Sequence, residues 1–505
     1  MSTESDGAPL QVVREHLTYG TLDKELKKTS YSWTTTKISV PPTLLAAMSK
    51  MAQSFFWFLL EIPTSGDTKA LRGDQLLAPW DPESRRYFAE LEPEVQVEIC
   101  ACVCAISHEW IHHFDLLGTP FGANLHGKLC REYLAFQKWA PLLTQKCPDV
   151  FDGPLMDWLA STPAGPDAAQ ALVGSGPLGH AQVELRGPVR FYEVVHGAFP
   201  RHVTTGWGEN TTFPTIKLGG DRQYEKITVN ELWSTIRGAG PDGYLSPRDI
   251  VEGRAFVLNL LFIWHLVGGA DPPDGMDALG LLRRYTAAYY EDSPRYTAAL
   301  EVVAGQTVDD LLASGDTDLV QRELTTTAVI TWYALQSPPP IERDDVLQGI
   351  TARFLYAAKV AKDNDWRSFK DGPLRLLEGV DEHFAEVGSK PCDALLRQSV
   401  QVLELTRTEN AACSAPEVRG WYEKVLSAIQ RTLHARIGDG YWSPWGLAFS
   451  GNPIDHVDDT INAGIGQLED APALMTDWYE LRALVLRKQG RREEKISQLR
   501  SWFSV

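Results

Sequence analysis

The sequence predicts a mainly α-helical protein with one small β region. Apolar residues recur with helical spacing through most of the chain, whereas strand-like alternation is concentrated between residues 182 and 226. The segment VRFYEVV at 189–195 is the clearest example of that alternation. A chain of 505 residues exceeds one ordinary hydrophobic core, so we expect at least two domains.

The first elements follow from local composition. Residues 1–40 are rich in Ser, Thr and charged residues and predict a loosely docked N-terminal arm. Helical periodicity begins after the prolines at 41 and 42, and Pro93 is a plausible first residue of a new helix. The segment LLGTPFG at 116–122 predicts a helix break. The helices predicted in this part of the chain are 43–62, 83–115 and about 124–140.

A proline-rich segment, 336–345, divides the predicted helices into two groups. Its three consecutive prolines are incompatible with a helix and are typical of a stiff spacer. The predicted organisation is an arm at 1–40, a domain at 41–335 that contains the β region, the linker, and a helical domain at 346–505. The C-terminal domain carries no catalytic motif, so we expect it to bind a protein partner or to mediate self-association.

Composition excludes several classes of function. The net charge is −18 and no Lys/Arg-rich block occurs, so a nucleic-acid-binding protein is not expected. The first residues show no signal peptide, and no apolar run reaches the about 20 residues that span a bilayer. Seven cysteines, three of them at alternating positions 100, 102 and 104, do not form a disulfide pattern. These features predict a cytoplasmic protein that does not associate with membranes.

The segment HEWIH at 108–112 is the strongest chemical signal in the chain. On a helix, His108 and His112 lie one turn apart on the same face and can bind one metal ion. Glu109 lies beside them and can act as a general base. The preceding residues VEICACVCAIS are apolar, and burying these polar side chains without a partner costs several kcal/mol, so a metal ion is expected.

Neighbouring residues leave alternatives open. Asp115 lies on the face of His108 and His112 and is a third ligand, an acceptor that orients an imidazole, or a surface residue at the helix end. We favour one of the last two over a ligand. His113 points about 100° away from His112 and should not share its metal. Cys100 and Cys104 continue the same spacing toward His108, but buried cysteines more often pack in cores.

Glu252 is the best candidate for the third metal ligand. Ser246 and Pro247 predict a helix start, and Glu252 follows in its second turn, before the apolar run VLNLLFIWHLV. A buried carboxylate needs a cation, and Arg254 lies on a different face of the helix. Gly253 and Ala255 leave space for a neighbouring helix.

The motif and this glutamate together resemble the zincin metallopeptidases of the gluzincin pattern. The matching residues are His108, Glu109, His112 and Glu252, which are few among the 505 of the chain. The metzincin extension fails because Gly118 stands where a third histidine would be. The resemblance implies a zinc-dependent hydrolase of peptide or amide bonds, with Glu109 as general base and the β region as an edge that aligns substrate. The residues considered for stabilising the oxyanion are His196, Tyr192, Arg254 and Tyr244.

Two other interpretations stay open. Glu109 and His112 also form an ExxH pair, and a second pair exists at Glu193 and His196, as in di-iron carboxylate oxygenases and oxidases. Glu132 and Glu252 would supply the bridging carboxylates, but Glu193 lies in a strand-like stretch. The remaining interpretation is a non-catalytic helical interaction protein with a structural metal site.

Overall fold

The structure is a computed structural model, and it is described here for about half of the chain. The described residues are 29–31, 38–39, 41, 86, 88–146, 212–216, 224–228, 247–267, 272, 275–291, 294–336, 350–363, 373–386 and 391–437. This part is mostly helical with very few strands, as the sequence predicts. The predicted helix 43–62 lies outside it.

The described helices are numbered here in chain order. They are α1 (Pro93–Gly118), α2 (Pro120–Lys146), α3 (Pro247–Leu266), α4 (Ala278–Tyr290), α5 (Pro294–Ala304), α6 (Val308–Ala313), α7 (Thr317–Leu335), α8 (Ile350–Asp363), α9 (Pro373–Glu386), α10 (Cys392–Asn410) and α11 (Pro416–Arg436). Three of these helices begin with a side chain that caps the N-terminus. The Asp277, Thr307 and Asp316 side chains accept a backbone N–H in the first turn of α4, α6 and α7.

Helix α3 is the centre of the fold. Its side chains from Ile250 to Trp264 are buried on every face, as the uninterrupted apolar run requires. It packs against α1, α4, α5, α7 and α8. The approach of α5 is close because Gly253 has no side chain: a Cβ there would lie 2.7 Å from that of Ala299. A polar residue between Ile250 and Trp264 is therefore surrounded by protein instead of water.

The junction between α1 and α2 corrects the predicted helix break. The sequence predicts an end near 115 and a new helix near 124, but α1 continues to Gly118 and α2 begins at Pro120. Thr119 alone makes the break. Its hydroxyl donates to the carbonyl of Asp115 and accepts the N–H of Gly122, so it closes one helix and caps the next. The two helices contact each other directly after this tight turn.

The described strands form two short antiparallel pairs. Strands β3 (Thr212–Ile216) and β4 (Tyr224–Thr228) pair within and just beyond the predicted β region, with Pro214 opposite Lys226. Residues 182–211 lie outside the described part. The other pair, β1 (Ser30–Tyr31) and β2 (Ile38–Ser39), is in the predicted arm and packs against α1. Thr29 and Tyr31 are buried there, so this portion of the arm is docked.

The helices after the proline-rich segment pack against those before it. Helix α8 contacts α7 and α3, while α10 and α11 contact α2. One cluster of buried apolar residues extends from Tyr31 in the arm to Phe384 in α9. The segment 337–345 itself lies outside the described residues, and the predicted domain boundaries stay predictions. Among the described helices, none is long and apolar enough to cross a membrane.

Candidate metal centre

A polar seam runs along the contact between α1 and α3. The two helices are antiparallel, because contacts pair late residues of α1 with early residues of α3 and the reverse. Asp115 meets Arg254, the two histidines meet Glu252, and Ser107 meets Asn259. All of these side chains are buried. Along α1 the seam thus has three layers, and the pair His108 and His112 lies in the middle one.

The middle layer brings three ligand-type side chains to one point. The Oε2 atom of Glu252 lies 3.2 Å from Nε2 of His108 and 3.1 Å from Nε2 of His112. The three ligand atoms lie within 4.8 Å of one another. In the described part of the chain, this is the one group of three or more His, Cys, Asp or Glu side chains compact enough to share an ion. The structure therefore brings together the three residues that the sequence proposes as metal ligands.

The surroundings of Glu252 favour the ionised form of its carboxyl group. Burial alone would raise the pKa of its carboxyl group. The positive charge that His112 can carry, hydrogen bonds from both imidazoles and the charge of His108 oppose that effect. The result is a pKa well below the ordinary value, so the carboxylate is ionised at neutral pH. An ionised carboxylate that faces two imidazole nitrogens is the donor set that a divalent cation requires.

Glu109 lies next to the group without joining it. Its side chain is buried, and this burial is the main reason that the pKa of its carboxyl group is raised. The negative charge of Glu252 raises the pKa further. His108 and a hydrogen bond from the Tyr31 backbone N–H lower it, but by less. That N–H comes from β1, so the N-terminal hairpin fixes the orientation of the carboxylate. Nothing in the sequence indicates this contact, because it joins a two-residue strand to α1.

Aromatic side chains surround the imidazoles. The ring of Tyr296, at the start of α5, meets the His108 ring edge-on at 5.6 Å between centroids. Tyr31 lies 6.4 Å from the His112 ring and 5.6 Å from that of His113. His113 is buried beside Tyr31 and is not part of the ligand group, as the helix geometry predicts.

Asn259 forms the layer behind His108. Its Oδ1 accepts the Ser107 hydroxyl at 2.9 Å, and its Nδ2 lies 3.4 Å from Nδ1 of His108. In this arrangement Nδ1 accepts and Nε2 of His108 donates to Glu252. An ion on Nε2 places the proton on Nδ1, so Asn259 must then turn its carbonyl oxygen toward the ring. Asn259 is two helical turns beyond Glu252 and polar within an apolar run, which is the signal that could have identified it.

The third layer accounts for Asp115 and Arg254. The Nε atom of Arg254 lies 3.0 Å from each carboxylate oxygen of Asp115, and its Nη1 donates to the Ala328 carbonyl at 2.8 Å. Asp115 is therefore paired with Arg254 and is not in the ligand group. Arg254 is fully buried and donates hydrogen bonds to Asp115 and Ala328, and its role toward a substrate oxyanion stays a prediction.

The remaining sequence candidates fall into two sets. His196, Tyr192, Tyr244 and Glu193 lie outside the described residues, and the side chain of Glu132 is not described. Cys100 and Cys104 are buried on α1, where burial raises the pKa of both thiols, for Cys104 to about 12. They stay protonated at neutral pH and are not part of the ligand group, as expected for cysteines that pack in a core.

Comparison of the chain with protein-family models, with curated proteins and with solved structures found no match in any of the three.

The two ligand-atom separations that involve Glu252 are compatible with a zinc ion. Zinc bonds of about 2.0–2.2 Å in tetrahedral geometry place neighbouring ligand atoms about 3.3–3.5 Å apart. The observed separations of 3.1 and 3.2 Å would need to widen by only a few tenths of an ångström. Two imidazoles and one carboxylate leave a fourth position for water or substrate, as in catalytic zinc sites.

Proposed function

We propose that this protein is a zinc-dependent hydrolase of peptide or other amide bonds. The observation that supports the proposal most is the convergence of His108, His112 and Glu252 from two helices, with Glu109 beside them. A structural zinc site would usually be closed by four protein ligands. Within the described residues this group has three, which is the number found in catalytic sites.

Different residues of the chain have different roles in the proposed reaction. A zinc ion at this position would supply Lewis acidity for an attacking water and for the carbonyl under attack. Glu109 takes the proton from the water and returns it to the leaving nitrogen. The Tyr31 backbone N–H donates a hydrogen bond to this carboxylate. Asn259 and Ser107 hold the His108 ring in place.

The low exposure of the group favours a narrow substrate. His108, Glu109 and Glu252 each expose less than a tenth of their surface, and Tyr31 and Tyr296 lie beside the imidazoles. An extended peptide segment or a small amide would need less space beside these side chains than a folded loop.

The two other interpretations make different demands on the same residues. A di-iron site needs a second ExxH pair at Glu193 and His196, and Glu109 as a ligand instead of a base. A structural site needs no function for Glu109. The metal content and the role of Glu109 therefore distinguish all three.

The test compares the wild-type chain with Glu109→Gln, His112→Ala and His113→Ala. Metal content is measured by mass spectrometry, and hydrolysis is measured on quenched fluorescent peptides and N-acyl amino acids. We expect one zinc per chain in wild type and Glu109→Gln, with hydrolysis only in wild type. His112→Ala should lose the metal, whereas His113→Ala, a buried neighbour outside the ligand group, should keep both metal and activity.

Each alternative has its own signature in this experiment. Two irons per chain would replace the hydrolase with the di-iron interpretation. A Glu109→Gln variant that loses the metal identifies Glu109 as a ligand and refutes its role as a base. Zinc in a wild-type chain that hydrolyses neither peptides nor small amides would favour a structural site.

A further inference from the structure

Arg436 is the last residue of α11, and it reaches across the fold to the helix that carries the histidines. Its side chain is 1% exposed. Nη1 donates to the carbonyl of Gly118, the last residue of α1, across a sequence separation of 318 residues. Nη2 donates to Oε1 of Gln336 at 3.1 Å, so the guanidinium group is held from both sides.

The contact occurs where α1 needs a cation. The last carbonyls of a helix have no partner within it and carry partial negative charge. Helix α1 has no basic residue in its own last turn. The Thr119 hydroxyl satisfies the carbonyl of Asp115, and Arg436 satisfies that of Gly118. A residue from the other side of the proline-rich segment therefore completes this helix end.

Arg436 also interacts with the third layer of the seam, which Asp115 and Arg254 form. Burial lowers the pKa of the Arg436 guanidinium to about 10. Arg254 also lowers this pKa, whereas Cys392 and Asp115 raise it. The guanidinium therefore stays cationic at neutral pH. The Arg436 guanidinium lies 4.7 Å from the centre of the Trp332 ring, and that of Arg254 lies 4.9 Å from it. Arg436 thus interacts electrostatically with Asp115 on α1, and it shares the ring of Trp332 with Arg254 on α3.

We infer that Arg436 is a positioning residue of the metal centre, which fixes the end of α1 and with it the placement of His108 and His112 opposite Glu252. This inference rests on the proposed function. Gly118 is six residues, or about 9 Å of helix, beyond His112. A displacement of this end moves the imidazoles along Glu252, because α1 is continuous between them. The C-terminal helices thus form part of the metal-binding unit.

The experiment measures zinc affinity by competition with a chromophoric chelator, and the visible spectrum of the cobalt-substituted protein, in the full chain. The variants are Arg436→Met, Arg436→Lys and the control Arg353→Met. Arg353 matches Arg436 in burial and also lies over aromatic rings, those of Tyr333 and Phe384. It lies on α8, and its described ring contacts are to α7 and α9.

We expect Arg436→Met to weaken zinc binding about 10- to 100-fold and to alter the cobalt spectrum. Arg436→Lys keeps the charge but not the fork that reaches Gly118 and Gln336 together, so it should bind zinc several-fold more weakly than wild type and more tightly than Arg436→Met. Arg353→Met should unfold at a lower temperature with the affinity and the spectrum of wild type.

The inference is overturned if folded Arg436→Met keeps wild-type affinity and spectrum, or if Arg353→Met changes both as much as Arg436→Met does. If Arg436→Met does not fold, wild-type affinity in Arg436→Lys overturns it. A wild-type chain without stoichiometric metal refutes the proposed metal centre and this role with it. Zinc bound equally by wild type and the Arg436 variants refutes the positioning role alone.

Discussion

The close approach of α5 to α3 predicts the effect of a single methyl group next to Glu252. In Gly253→Ala the new Cβ would lie 2.7 Å from the Cβ of Ala299 and 3.3 Å from the carbonyl oxygen of Tyr296. Carbon atoms pack at about 3.5–4.0 Å, so α5 must move away by about 1 Å. Overpacking of this kind costs about 1–3 kcal/mol, and alanine returns up to about 1 kcal/mol of helix propensity. We expect a net loss of about 1–2 kcal/mol in unfolding free energy.

The same movement should reach the metal centre, because Tyr296 lies on α5 against the His108 ring. Zinc affinity and urea unfolding are therefore measured together. Ala299→Gly removes the clashing atom, so the double variant should recover most of both losses. Gly420→Ala is the matched control, since a Cβ at that helical position meets nothing within 4 Å and should stabilise slightly. The packing argument fails if Gly253→Ala behaves as Gly420→Ala does, or if the double variant is no better than the single one.

Three further perturbations test other parts of the account. Asp115→Asn leaves buried Arg254 without its carboxylate and should lower the urea-unfolding free energy by about 3–5 kcal/mol; a loss below about 1 kcal/mol would contradict the buried ion pair. Burial lowers the pKa of His126 to about 4 from 6.5. Between pH 6.5 and 4, His126 is therefore protonated in the unfolded state but neutral in the folded state. About 3 kcal/mol of stability should be lost as pH falls from 6.5 to 4. His126→Leu should show a correspondingly flatter pH dependence of the urea midpoint, and an unchanged slope would refute the assignment. Asn259→Leu should weaken zinc binding about 10- to 100-fold without unfolding the chain, and unchanged affinity in a chelator competition would exclude its role toward His108.

The three candidate metal ligands could be predicted because their signals are local. The spacing of His108 and His112 fixes their common face once the segment is helical. Glu252 could be identified because a carboxylate on a buried helix needs a cation. The starts of α1 and α3 at Pro93 and Pro247 follow from the same kind of local chemistry.

The partners of these residues could not be predicted, since they depend on the register between distant helices. Asp115 and Arg254 were recognised separately, yet their pairing follows from the antiparallel packing of α1 and α3. The contact of Arg436 with Gly118 joins residues 318 positions apart, and no periodicity in the sequence indicates it. The N–H of Tyr31 belongs to the backbone, so its contact with Glu109 leaves no trace in residue type.

The most direct test of the central claim is the metal content of the purified chain beside that of Glu252→Ala. The account predicts one zinc per wild-type chain, because three ligand atoms converge on one point. It predicts that Glu252→Ala loses this zinc, since the carboxylate is the one ligand that α3 supplies to the group. Wild-type protein without stoichiometric metal, or a Glu252→Ala variant that retains zinc with undiminished affinity, would contradict it.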